Sequence, residues 1–144
     1  MDLLPTQIQL EVVTPERQLV HEEVLSVSVP AKSGYLGILP GHAPLLSELQ
    51  PGELTYRENH AIRRLSVSWG FIEVLPERVI VLAQTAERAE EIDVDRAVRA
   101  KQRAEERLKK VTATDIDFER ARAALMRALA RLQAADRLEG GLQV

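Results

Sequence analysis

The amino-acid sequence predicts a β sandwich of about ten antiparallel strands followed by a two-helix antiparallel α hairpin. Three observations carry this. Up to Leu82 apolar residues recur with a period of two, in short runs broken by Pro, Gly or Asn. Beyond Glu87 the period lengthens to about 3.6, as one face of a helix requires. The charge changes at the same place: residues 1–90 hold seven Lys and Arg against twelve Asp and Glu, and residues 91–144 hold twelve against ten. The expected division is therefore 1–88, an acidic sandwich, and 89–144, a basic helical arm.

In the first part, Gln7-Ile8-Gln9-Leu10-Glu11-Val12 alternates cleanly, and Thr14-Pro15-Glu16-Arg17 is a turn with proline in a favoured place. In the run Val24 to Val29, Leu25, Val27 and Val29 fall on one side and Ser26 and Ser28 on the other, with Pro30 closing the strand. Leu54–Arg57, Ala61–Trp69, Phe71–Leu75 and Val79–Leu82 repeat the pattern, separated by Glu58-Asn59-His60, Gly70 and Pro76-Glu77-Arg78. With aromatic residues at only 3%, Val, Leu and Ile must fill the core. The segment Gly34 to Leu46 departs from alternation. Its glycines and prolines impose tight backbone while Leu36, Ile38, Leu39, Leu45 and Leu46 favour burial, so it is either a corner tucked into its own sandwich or a loop whose tip docks on another protein.

In the arm, Asp93 is placed as a helix N-cap, and Val94, Ala97, Val98, Lys101, Ala104 and Leu108 share a face that runs to Lys109-Lys110. A second helix starts near Thr114-Asp115 and runs to about Leu138, where Gly140-Gly141 end it. Its seam is Ala121, Ala124, Leu125, Ala128, Leu129, Leu132 and Ala135, and Val111-Thr112-Ala113 links the pair. Alanine seams allow close approach but bury little, at roughly 0.8 kcal/mol per methylene. The outer faces carry Arg96, Arg99, Arg103, Arg107, Arg120, Arg122, Arg127, Arg131 and Arg137. This is either a solvated face laced with ion pairs or a surface for an acidic partner or phosphate, to which arginine is the better bidentate partner.

Composition and motifs also bound the chemistry. With no cysteine there is no disulfide, thiolate nucleophile or cysteine–zinc site, and His21, His42 and His60 lack metal-ligand spacing, so no metal site is expected. The phosphate-cradle and nucleophile-elbow motifs are missing, and His42 has no identifiable nucleophile beside it, so no catalytic residue is assigned and an enzyme built on His42 is the rival reading. A net charge of −3 and few stacking residues argue against nucleic acid as a partner, although an adaptor whose basic hairpin binds it is a further alternative. There is no run of 18 to 20 apolar residues and the start MDLLPTQIQL lacks a signal-peptide pattern, so membrane association is expected only through a partner.

Gly37-Ile38-Leu39-Pro40-Gly41-His42-Ala43-Pro44-Leu45-Leu46 with Pro51-Gly52, Ser68-Trp69-Gly70-Phe71-Ile72-Glu73-Val74, Val81 to Arg88 and the helical arm resemble, over essentially the whole chain, the epsilon-subunit family of F-type ATP synthases. Trp69 stands where that family usually has a glycine. The resemblance implies a non-enzymatic subunit of the central rotor stalk of a proton-translocating ATP synthase, peripheral at the cytoplasmic face of a bacterial membrane. By this resemblance the sandwich binds the gamma subunit and the c-subunit ring, with Tyr35 and His42 near the ring's polar loops. The helices are the regulatory part, folding down on the sandwich or extending towards an acidic stretch of the beta subunit to block ATP hydrolysis. No cofactor is required, but ATP is implied as a regulatory ligand of the folded-down hairpin. Ile92-Asp93-Val94-Asp95-Arg96-Ala97 matches the family's ATP motif, Glu87 holds the matching upstream position, and Arg127 and Arg131 match the two arginines of the second helix. Asp93 and Arg96 would position the nucleotide while Arg127 and Arg131 hold phosphates; the alternative is an N-cap and a surface ion-pair residue.

Overall fold

Period-two burial begins where the sequence places it: in β1 (Ile8–Val13) Ile8, Leu10 and Val12 are fully enclosed and the residues between them are not. The computed structural model describes residues 4–110 and 115–139. After β1 come β2 (Gln18–Val24), β3 (Ser26–Ala31), β4 (Gly34–Ile38), β5 (Leu45–Leu49), β6 (Gly52–Arg57), β7 (Ile62–Leu75) and β8 (Arg78–Arg88). The sheet runs β2-β1-β8-β7-β5-β3-β4, with β6 seated between β3 and β7. A single 3-10 turn, Ala89–Glu91, then leads to α1 (Val94–Lys110) and α2 (Asp115–Glu139).

The described residues hold eight strands, fewer than about ten, because two of them are long. Gly70 interrupts the hydrophobic pattern but not the strand: the runs expected at Ala61–Trp69 and Phe71–Leu75 merge, from Ile62 onward, into the 14-residue β7. The pairing is also not wholly antiparallel, since β1 lies parallel to β8. Strand β7 is the spine. Its second half pairs with β5 and its first half with β6, in one continuous register broken at Gln50-Pro51 opposite Trp69. The strand turns its corner there. At Gly70, with φ of +137°, a Cβ would lie 1.8 Å from the Leu82 carbonyl oxygen, so only glycine lets β7 and β8 pass.

The core is built from aliphatic side chains of every strand, with Tyr56 as its one aromatic member. Full burial of each Val, Leu or Ile contributes about 1.5–3 kcal/mol. The turn before β2 forms as expected, with Thr14 Oγ1 accepting from the Glu16 and Arg17 N–H groups. Pro30, by contrast, lies within β3 and pairs with Tyr35; its carbonyl accepts from Gln50 N at 2.8 Å.

Helix α1 starts as read: Asp93 Oδ1 accepts from the Arg96 N–H at 3.1 Å. The buried residues of the arm are almost all alanine, namely Ala97, Ala104, Ala121, Ala128, Ala130, Ala134 and Ala135. The expected seam is corrected in part. Val98 is 36% and Leu129 45% exposed, because α2 packs on the sandwich as well as on α1 and its buried stripe widens to Ala130 and Ala134. The link Val111-Thr112-Ala113, Thr114, the side chain of Arg137 and Gly140-Gly141 lie outside the described residues.

Candidate functional site: an arginine-lined seat beneath the hairpin

The sandwich presents a polar surface to α2. Glu53 of β6 pairs with Ser66 of β7, which pairs with Glu87 of β8, so the three side chains stand in one row on one face. Ser68 and Thr85 form the next row, with their hydroxyls hydrogen-bonded to each other. Glu53, Ser66 and Ser68 are the buried polar side chains among the described residues. They are covered but not saturated: Glu53 Oε1 takes Arg64 Nη1 at 3.3 Å, while Oε2 has no hydrogen-bond partner. Burying such an atom costs roughly 1–3 kcal/mol.

Two of the predicted arginines meet this surface. Arg131 Nε lies 2.8 Å from Glu87 Oε1, close enough for an ion pair, although its N–H is not aligned as a hydrogen bond. Arg127, one turn earlier, sets its guanidinium over the Trp69 ring, 5.4 Å from the centroid. With Ser66, Ser68 and Thr85 these side chains line a recess of about 200 Å³ between α2 and the sandwich. On the other side of α2, Arg127 and Arg131 border a second recess of about 320 Å³ with Arg103 and Arg107 of α1 and the small residues Ala100, Ala104, Ala124 and Ala128. Four guanidiniums around an alanine-walled gap form a region of positive potential suited to an anion. Arg103 and Arg107 were legible only as members of a charged face; their i,i+4 spacing was the signal, and α2 supplies the opposite wall.

The motif at the start of α1 stands one turn away along α2. Ile92 packs with Ala89 against Ala134 and Ala135, and Ala97 is fully buried. Asp93 is the N-cap, and Arg96 is exposed with its backbone N–H taken by that cap. The structure thus unites Glu87, Arg127 and Arg131, sets Ile92 one turn further along against Ala134 and Ala135 with Asp93 capping α1 next to it, buries Ala97, and leaves the Arg96 side chain in solvent. Arg17 and Arg88 reach Glu91 at 2.8 and 3.7 Å and hold the connecting turn to the sandwich.

The apolar loop lies elsewhere. Tyr35 is 55% exposed, and its hydroxyl accepts from the Glu53 N–H at 3.0 Å. Its oxygen also leaves no room at Gly52, where a Cβ would fall 2.8 Å away. His42 Nδ1 is 2.8 Å from the Ala43 carbonyl oxygen, and Gly41, with φ of +86°, ties the turn to Pro76 O through its N–H at 2.6 Å. Ile38 of this segment is enclosed, whereas Leu39 and Leu46 are 66% and 69% exposed. Half of the loop is corner and half is surface.

Trp69 has φ of +44°, the left-handed region that favours glycine, at a cost of about 1–3 kcal/mol for a side-chain-bearing residue. Among the described residues no helix is long and apolar enough to cross a membrane.

Residues 7–89 match the family described as ATP synthase, Delta/Epsilon chain, beta-sandwich domain, and residues 90–136 match ATP synthase, Delta/Epsilon chain, long alpha-helix domain. The chain is 52% identical over 134 residues to the ATP synthase epsilon chain of Solibacter usitatus, covering 93% of this chain and 99% of that relative. It is 51% identical over 129 residues to the epsilon chain of Moorella thermoacetica, covering 89% and 96%. Its fold is similar to a chain in the cryo-EM structure of Euglena gracilis mitochondrial ATP synthase, OSCP/F1/c-ring, with a TM-score of 0.80 at 25% identity over 93% of this chain and 84% of that one. With both regions matched and relatives about half identical along nearly their full length, the chain belongs to the ATP synthase delta/epsilon chain family, as an epsilon chain, a non-catalytic subunit of that complex.

Proposed function

We propose that the chain serves in the central rotor stalk of a proton-translocating ATP synthase and restrains ATP hydrolysis through helices that leave the sandwich, with ATP holding them down. The sandwich, through the exposed apolar loop around Tyr35 and His42, docks on the gamma subunit and the c-subunit ring. The basic arm, once extended, meets an acidic stretch of the beta subunit. The complex sits at the cytoplasmic face of a bacterial membrane and holds this subunit there peripherally.

The observation that carries this reading is the quality of the seat beneath α2. A hairpin buried by alanines, resting on Glu53, Ser66 and Ser68, gains little from the hydrophobic effect and exposes a hydratable surface when it lifts. A switch element of this kind must have two states within a few kcal/mol of each other. An anion in the gap bordered by Arg103, Arg107, Arg127 and Arg131 draws α1 and α2 together and screens their mutual repulsion. Triphosphate has the charge for this, and Glu87, Ile92, Asp93, Arg96 and Ala97 frame the nucleotide at the start of α1.

Calorimetric titration of the full chain with ATP tests the site: binding is expected in the parent and lost in the Arg127→Ala, Arg131→Ala double variant, and binding that survives in the variant overturns it. Reconstitution tests the wider role. Adding the chain to the catalytic head is expected to lower ATPase turnover, and deleting residues 91–144 to restore it; an unchanged turnover in both cases refutes inhibition.

A further inference from the structure

Trp69 is the one non-glycine residue with a positive φ among the described residues, and it is the chain's single tryptophan. Strained backbone persists only where the surroundings over-determine it. Two of its features single out this position. It lies at the corner of β7, opposite the break between β5 and β6, so the indole projects from the edge of the sandwich face that α2 covers. It also touches the helix in two ways: Arg127 sits over its ring at 5.4 Å, and the indole walls a groove of about 590 Å³ whose far side is Ile116, Ala123 and Met126 of α2. Elsewhere α2 meets the sandwich through alanine, through the polar rows of Ser66, Ser68 and Thr85, and through the Arg131–Glu87 ion pair one turn further along.

We propose that Trp69 and Arg127 form a clasp that sets how readily α2 leaves the sandwich. The indole face is the negative end of an aromatic quadrupole and the guanidinium is planar and weakly hydrated, so the two stack favourably even near solvent. The left-handed backbone at Trp69 is the cost of aiming the ring at the helix. Breaking the stack removes a contact that the alanine and serine contacts beside it do not replace, and a hairpin freed from its seat frays, because isolated helices are marginal in water.

Hydrogen exchange of the full chain, read separately over α2 and over the sandwich strands, tests the clasp. Trp69→Leu keeps a bulky side chain on the same backbone but removes the aromatic face; Arg127→Gln removes the cation from an exposed helix position and leaves the fold intact. Each is expected to speed exchange along α2 about fivefold, the double variant no further than either single, with the sandwich unchanged. Trp69→Tyr should recover much of the protection. Trp69→Gly is expected to split the molecule, speeding α2 while slowing the sandwich strands as strain is relieved. Indole emission in Arg127→Gln should shift to the red. Exchange of α2 at the parent rate in Arg127→Gln, or single effects that multiply in the double variant, overturns the proposal.

Discussion

The sandwich and the helical arm are held together by different means, and the contrast tells which of them costs less to displace. In the sandwich, strands from both ends of the region meet over an aliphatic core in which Ile8, Leu10, Leu54 and Ile72 are completely enclosed. In the arm the enclosed residues are alanines apart from Ile92, most of the larger apolar side chains are partly exposed, and the surface beneath α2 contains a buried carboxylate oxygen without a partner. Removing the arm would uncover groups that water can satisfy; opening the sandwich would uncover a core that is almost wholly hydrocarbon. The difference in transfer free energy makes the first the cheaper displacement and the second an unfolding reaction.

The contrast is sharpest in the core. Leu54→Ala is expected to cost the sandwich about 2–5 kcal/mol, read as a fall in the midpoint of thermal or urea unfolding. A smaller loss would mean that the core is looser than its burial implies. Ala134→Leu places a larger side chain where α2 is fully enclosed against Ala89 and Ile92 and is expected to cost about 1–3 kcal/mol, spent on the docking of the helices. Its signature is fast exchange along the hairpin with an unchanged sandwich midpoint; a fall in that midpoint would show the two regions to be one cooperative unit.

The smallest effect concerns acid. Arg78 hydrogen-bonds Glu11 at 2.8 Å across the parallel pair of β1 and β8 and holds its carboxyl below the ordinary carboxylate range, with His21 adding to the shift. A depressed folded pKa stabilises the sandwich above the unfolded value and ceases to do so as pH falls through the folded one. Arg78→Gln is therefore expected to flatten the acid limb of the sandwich midpoint against pH without altering exchange in α2. A change in α2 alone would place the pair's influence on the arm instead.

Much of this was legible in single residues. Asp93 as N-cap, the start of α1 and the alternation of β1 all follow from local rules, because capping and the two side-chain periods depend on neighbours in sequence. Arg127 and Arg131 were legible as a pair on one helix face for the same reason. Their surroundings were legible only in part. The family resemblance grouped Glu87 with Arg127 and Arg131, but nothing in the sequence indicates that Glu87 and Arg131 would pair directly, nor that Arg103 and Arg107 would complete a four-arginine gap, since those meetings depend on how α2 lies against both α1 and the sandwich. The break expected at Gly70 failed for a related reason: the glycine answers to Leu82 on the adjacent strand, not to a turn of its own.

The sequence by itself determined the division into an alternating acidic body and a basic helical arm, the aliphatic nature of the core and the alanine seams, because periodicity and side-chain volume are local properties of the chain. Only the tertiary structure decided that β1 runs parallel to β8, that a polar row lies beneath α2, and that a tryptophan occupies a glycine-like backbone to stack on Arg127. Those features join residues far apart in sequence, and their energies exist only once the sheet has folded over and the helices have come to rest on it.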